Sequence, residues 1–386
     1  MDLMTKASAR ITAFLFIALV LVLGVLSLRP LLGYQAETGL SPVNGELARN
    51  LESHYDDQFP AKDLGTNLWA AINYTLFDEG RKGVVVGQDE WLFTDEEIYP
   101  ASRDGEVVDR NLGRVHRVAD YLLAEGVPLV VLVVPAKARI HSDKLGSTQP
   151  EPVMMSLYNR FQQSLATAGI PAPELKPLLE QAQHHGESVF LRTDTHWSPT
   201  GANLYAKGAA EFIRDRFNGL SWGEQNFVTS IAQPVQHRGD LLNYIPVEPA
   251  FTGFGPAPDQ LEPRTTRAQN DGQANASALF GDDATNTVLV GTSYSANEQW
   301  DFPGALRKHL GQDLINVAEE GDGPIVPMID YLNSSDFRDQ PPQLVIWEFP
   351  ERYLAQPLES EQAQAWFRRA DKTLTAQADS RSETNP

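Results

Sequence analysis

Residues 127–134 read Val-Pro-Leu-Val-Val-Leu-Val-Val, apolar at nearly every position. A strand with one wet face alternates polar and apolar side chains, so an unbroken apolar run of this length marks a strand buried on both faces. Helical patterns flank it: Leu112 to Glu125 before, closed by Gly126, and about Val153 to Ala168 after, stopped by Gly169. Another helical stretch runs from about Leu175 to His185. Working outward, short strands are expected at Val189–Leu191, Thr287–Val290, Leu314–Val317 and Leu344–Phe349. Candidate helices lie between them near Pro199–Phe217, Asn297–Leu310 and Pro324–Asn333. Strands separated by helices predict an α/β fold, a three-layer sandwich with a mainly parallel sheet.

Two regions break the alternation. Residues 83–93, GVVVGQDEWLF, predict a hairpin on the edge of the main sheet. Residues 218–286 shift toward Gly, Pro, Asn, Gln and Asp without a long periodic stretch. They read as a loop-rich insertion of the kind that serves as lid or binding loop. A last helix has room after Leu358, and residues 379–386 read as a solvated, flexible tail.

Ile11 to Leu28 is apolar apart from Thr12, Gly24 and Ser27, and is preceded by Lys6 and Arg10. A run of that length spans the hydrocarbon core as a helix, and the preceding positive charge sets the N-terminus in the cytoplasm. The following Arg29-Pro30-Leu31-Leu32-Gly33 lacks the Ala-x-Ala spacing of a cleavage site. Residues 1–32 therefore read as a cytoplasmic tip and uncleaved signal anchor, single-pass in the inner membrane, and residues 33–378 as one soluble domain beyond it. Subtracting 51 acidic from 31 basic side chains leaves a formal charge of −20. Such a surface repels phosphate backbones, so nucleic acid is not an expected partner. With no cysteine in the chain, thiolate metal sites and a cysteine nucleophile are excluded.

Two short motifs carry chemistry. In Thr193-Asp194-Thr195-His196-Trp197-Ser198-Pro199, Ser198 is suited to cap a helix that Pro199 begins. Asp194 and His196 then sit two positions apart on the loop leading in, and face the same way if the backbone is extended. A carboxylate there can accept the imidazole Nδ1–H and leave Nε2 as a general base. In Thr287–Ser295, TVLVGTSYS, a buried strand ends at Gly291 and Ser293 follows at the head of a helix. That turn exposes Oγ at the carboxyl edge of the sheet, though Ser293 or Ser295 serves equally well as a helix cap. The turn at Gly321 and Gly323 offers backbone amides as oxyanion donors or is a plain glycine turn before the next helix, and Arg352 and Tyr353, at the end of the last strand, either line the mouth of a site or pack as an aromatic cluster closing the strand. A metal reading, with Asp194 and His196 joined by His184, His185 or His237, lacks any His-x-x-x-His spacing.

Asp194-Thr195-His196-Trp197 followed much later by Gly291-Thr292-Ser293-Tyr294-Ser295 resembles the SGNH-hydrolase-like domain of the bacterial alginate O-acetylation proteins, the AlgJ/AlgX family. The likeness takes in Glu90-Trp91-Leu92-Phe93, Arg238-Gly239-Asp240-Leu241, the Gly321–Gly323 turn and the Trp347–Tyr353 strand end. It is closer to the J-type, since no room for a carbohydrate-binding module follows the last strand. The resemblance implies a circularly permuted SGNH order with Ser293 as nucleophile, His196 as base and then acid, and Asp194 orienting the imidazole. Gly321, Gly323, Tyr294, Arg352 and Tyr353 are expected at oxyanion or substrate-lining positions. It further implies acetyl transfer through a serine acyl-enzyme to an exopolysaccharide such as alginate, without cofactor or metal. The acetyl donor would be a multi-span membrane acyltransferase, working with other polysaccharide-acetylation subunits. An acetyl esterase with the same triad, or a non-catalytic subunit of an acetylation complex, are the competing readings. Because like charges repel, the acidic surface suits a neutral glycan, or a polyuronate handed over by a partner.

Overall fold

The computed structural model describes residues 2–103, 105–269 and 286–370, which fall into two units. One takes in the chain up to Arg81 together with Ile245–Gly255. It holds α1 (Asp2–Gly33), α2 (Glu46–Gln58) and α3 (Lys62–Phe77). Within α1, Ala7–Gly33 is long and apolar enough to cross a membrane, with none of its apolar window buried. α2 turns back against the end of that helix: the Tyr34 hydroxyl donates to Asn50 Oδ1 at 2.9 Å, and its ring meets His54 edge-on. Asn67 of α3 donates to the carbonyl of Glu248. These contacts carry the division to Arg81, past the residue 32 boundary drawn from hydropathy.

The second unit begins with β1 (Val84–Val86) and β2 (Leu92–Thr94), an antiparallel hairpin. It is not on the edge of the main sheet, as the sequence suggested, but forms a two-stranded sheet of its own. Its backbone is taken up by loops instead: Leu92 N donates to Arg192 O at 3.0 Å and Gln88 N to Lys144 O at 2.7 Å. There follow α4 (Glu106–Ala124), β3 (Leu129–Val134), the single turn α5 (Lys137–Ile140), α6 (Pro152–Thr167), α7 (Lys176–His184) and α8 (Pro199–Arg216). The insertion supplies β4 (Phe227–Ile231), β5 (Val235–His237), β6 (Asp259–Leu261) and β7 (Arg264–Ala268). The chain then runs through β8 (Thr287–Val290), β9 (Ile315–Asn316) and β10 (Leu344–Pro350).

β3, β10, β8 and β9 lie side by side in that order, all parallel. Alternation along β3 decides the layers. Val131 and Val133 face the core built by α4, α6 and the helix Ile325–Asn333. Val130, Leu132 and Val134 face the core built by α7, α8 and the helix Phe302–Leu310. Each such side chain buried contributes about 1.5–3 kcal/mol, which is why no polar residue interrupts the run. The three-layer α/β sandwich is therefore present, and its parallel strands end on one rim.

Four local expectations are corrected. Residues 218–286 are more ordered than a loop: β4 pairs with β7, and β5 with β6, as antiparallel ribbons. β4, β5 and β7 are short and largely exposed, so they carry no apolar signature. Val189–Leu191 supplies only a bridge from Phe190 to Trp197. The strand at Leu314–Val317 narrows to Ile315–Asn316. The helix expected from Asn297 starts at Phe302, because Asp301 adopts a left-handed backbone (φ 52°) after a 3-10 turn at Glu298–Trp300. Residues 361–370 are helical, as expected after Leu358. The proposed tail at 379–386 and residues 270–285 of the insertion lie outside the described residues.

Candidate active site

Asp194 and His196 lie on a tight loop. Phe190 bridges Trp197, Leu191 N donates to His196 O at 3.1 Å, and Ser198 N donates to Val189 O at 3.0 Å. Ser198 then caps α8, its Oγ accepting from Gly201 N at 3.1 Å. Gly201 must lack a side chain, since a Cβ there would lie 2.1 Å from Val189 O. The loop between these pinned ends carries Asp194 and His196, both buried.

Ser293 comes off the sheet. β8 ends at Val290, and Ser293 opens a single helical turn to Ala296. The cap is Thr292, whose Oγ1 accepts from Tyr294 N at 3.3 Å, so neither Ser293 nor Ser295 is spent on that role. Behind the turn, the buried Glu348 of β10 accepts from Thr292 N at 2.8 Å and from Ser295 Oγ at 3.0 Å. Burial pushes the Glu348 carboxyl up to about 7, against the pull of these donors. Gly291 faces that carboxylate at 2.4 Å from where its Cβ would stand, which leaves glycine as the residue that fits.

The two halves meet in one hydrogen-bonded line. Asp194 Oδ1 is 2.6 Å from His196 Nδ1, and His196 Nε2 is 2.7 Å from Ser293 Oγ. The imidazole stacks on Trp300 with centroids 5.1 Å apart. Asp194 accepts from four N–H groups: His196 N (3.0 Å) and Nδ1 on Oδ1, His237 Nε2 (2.8 Å) and Asp240 N (3.2 Å) on Oδ2. Burial alone would raise the Asp194 carboxyl, but the bonds from His196 and His237 outweigh it and hold the group well below the ordinary aspartate range. His237 is correspondingly raised, chiefly by its bond to Asp194.

Further residues hold the loop from outside. The buried Lys137 Nζ donates to Leu92 O (2.5 Å), Arg192 O (2.9 Å) and Asp194 O (2.9 Å). Asp240 accepts from Thr195 N (2.8 Å) and Oγ1 (2.5 Å), and Asp259 from Thr193 N (2.8 Å) and Oγ1 (2.6 Å). Lys137, Glu348, Trp300, Asp240 and Asp259 were not singled out individually from sequence. Lys137 follows a buried strand and Asp240 lies in the Arg238–Leu241 motif, which is the only local trace of either.

The other expected site residues divide. Tyr294 is 1% exposed, its hydroxyl donating to Thr195 O at 2.6 Å and accepting from Arg352 Nη1 at 3.1 Å, so it braces the acid–base loop from within. Arg352 is also buried, its guanidinium over the Tyr294 and Tyr353 rings at 5.4 and 4.8 Å and beside Glu96 at 3.3 Å. Gly323 packs on Tyr353, while Gly321 lies on an exposed turn with open space around it. Asp194, His196 and Asp240 bring one potential metal-ligand atom each within 4.8 Å of one another. Every one of these groups is already committed to hydrogen bonds within the loop, so a cation here would have to break them.

A serine hydroxyl in contact with an imidazole that is itself hydrogen-bonded to a carboxylate, on an α/β sheet rim, is an arrangement suited to acyl transfer. The profile of the SGNH hydrolase-like domain, acetyltransferase AlgX, matches residues 84–351. The chain is 46% identical over 371 residues to the probable alginate O-acetylase AlgJ of Pseudomonas aeruginosa PAO1, covering 94% of each. It is 45% identical over 352 residues to that of Pseudomonas fluorescens, covering 91% of this chain and 88% of the relative. The O-acetyltransferase domain of Pseudomonas putida AlgJ superposes with a TM-score of 0.67 at 40% identity, covering 76% of this chain and all of that domain (100%). The chain belongs to the family of SGNH hydrolase-like acetyltransferase domains that the AlgX profile defines, and its second unit has their fold.

Proposed function

We propose that this protein acetylates alginate by double displacement through Ser293. His196 Nε2 takes the Ser293 proton as Oγ attacks the carbonyl of an acetyl donor, and returns it to the departing group. The acetyl-serine is then attacked by a sugar hydroxyl, whose proton passes to His196 and back to Oγ as the ester leaves. Asp194 holds the tautomer with Nδ1–H and offsets the charge of the imidazolium in both halves. The observation that carries this reading is the unbroken line of 2.6 and 2.7 Å contacts from Asp194 to Ser293. Alginate as acceptor is taken from the names of the relatives, which are probable alginate O-acetylases.

The apolar run of α1 with Lys6 and Arg10 ahead of it supports a catalytic unit on the periplasmic side of the inner membrane. A multi-span acyltransferase in the same bilayer is the donor that suits a tethered acceptor of acetyl groups. A formal charge of −20 opposes capture of a free polyuronate, so the polymer is delivered with the help of other acetylation subunits.

Intact-protein mass spectrometry after exposure to an activated aryl acetate tests the relay. One added acetyl group is expected, absent in Ser293→Ala, and discharged faster by alginate oligomers than by water. An adduct that persists in Ser293→Ala, or acetyl turnover undiminished in that variant, removes Ser293 from the reaction. Discharge by water alone would make the protein an esterase.

A further inference from the structure

Asp194 is shared between two histidines, and only one of them touches the nucleophile. His237 closes β5, directly across the ribbon from Asp259 of β6. Its Nε2 lies 2.8 Å from Asp194 Oδ2, its side chain is 12% exposed, and its ring meets Trp300 edge-on at 5.6 Å. The same indole stacks on His196, so one aromatic wall braces both imidazoles. Without His237, Oδ2 would keep only the 3.2 Å bond from Asp240 N. The carboxylate would then be held less firmly against rotation about its Cβ–Cγ bond, and Oδ1 would stray more often from its line with His196 Nδ1, and Nε2 from its line with Ser293.

We propose that His237 is a positioning residue of the acyl relay, which clamps the far oxygen of Asp194 so that the near one stays aligned on His196. This rests on the reading of Ser293, His196 and Asp194 as that relay. His237 reaches the site from the insertion, so the β5–β6 ribbon is part of the catalytic machinery. The charged groups facing the His237 ring are Asp194 from the acid–base loop, Asp240 beyond β5 and Asp259 of β6, with His196 behind Asp194. All three carboxylates favour its protonated form, in which both ring nitrogens donate.

The test is the steady-state hydrolysis or transfer of an activated aryl acetate by the full chain, across pH, for His237→Ala and His237→Gln. Gln places an uncharged N–H near the position of Nε2. His237→Ala is expected to lower kcat by about tenfold to a hundredfold with KM little changed, the usual cost of removing a group that orients another. His237→Gln should restore most of that rate at neutral pH. Wild-type kcat in His237→Ala would overturn the proposal. So would a Gln variant as slow as Ala, since packing alone would then explain the loss. Should His237→Ala fail to fold, kcat of His237→Gln decides alone: turnover near wild type supports the clamp, and a loss of about tenfold or more overturns it. Ser293→Ala separates the two levels: turnover surviving there ends the relay itself, whereas a dead Ser293→Ala beside a wild-type His237→Ala ends only the role of His237.

Discussion

Asp194→Asn is the most searching single change, because all four partners of the carboxylate are N–H donors. An amide offers one oxygen and one NH2, so either placement sets two donors against two donors. With the NH2 toward His196, the backbone N–H of residue 196 cannot adapt. The ring must move its proton to Nε2, where it faces Ser293 and the base is lost. With the NH2 toward His237, that ring can switch tautomer, but Asp240 N–H stays opposed and no charge remains to steady the imidazolium. Two charge-assisted bonds at about 1.5–3 kcal/mol each are forfeited, partly offset by relief of a buried charge, which leaves a net loss of about 2–4 kcal/mol in urea melts. Turnover of an aryl acetate should fall by about 10³- to 10⁴-fold, the scale of a wrong-tautomer histidine. Because the folded carboxyl is held below its ordinary value, wild-type stability from this group is present above about pH 4 and is lost as pH falls toward the folded pKa. The variant should lack that acid dependence. Turnover within tenfold of wild type, together with unchanged stability, would refute the four-donor argument.

Lys137→Met leaves three buried carbonyls without their ammonium, and a loss of about 3 kcal/mol is expected by chemical denaturation. Burial holds the Lys137 ammonium down at about 8, despite Glu97 and Asp194 nearby, so the unfolded chain keeps its proton to higher pH than the native one. Wild-type stability should therefore rise from about pH 8 toward the ordinary lysine value, a slope missing in Lys137→Met and measurable by melts in series. Gly291→Ala would set a Cβ 2.4 Å from Glu348 Oε2 and 2.9 Å from its Cβ. Overpacking of about 1–3 kcal/mol and a lower kcat should follow as Glu348 is pushed off Thr292 N; an unaffected enzyme would show the turn to be less rigid than its contacts imply.

The central sheet was legible because burial on both faces writes itself into a strand as an apolar run, as in residues 127–134 and 344–347. The meeting of Asp194, His196 and Ser293 was legible because the first two share one motif and Ser293 follows a strand end. What lay hidden was what holds them. His237 is 43 positions from Asp194, and was weighed only as a metal ligand; Lys137 is 57 positions away. Such pairings obey tertiary geometry, and no local period announces them. The ribbons of the insertion escaped for the opposite reason: with both faces largely wet, sequences such as FVTSI and RTTRA carry little hydrophobic constraint. Tyr294 and Arg352 were expected to line the substrate, yet their polar tips turn inward to Thr195 and to each other.

Trp300 gives the site a reporter that needs no label. Its indole lies face-on to one imidazole and edge-on to the other, in a wall that solvent scarcely reaches. An imidazolium quenches indole emission more strongly than the neutral ring does. The emission of this one tryptophan, isolated by difference against Trp300→Phe, therefore follows protonation of both histidines in the resting enzyme, before any substrate is added.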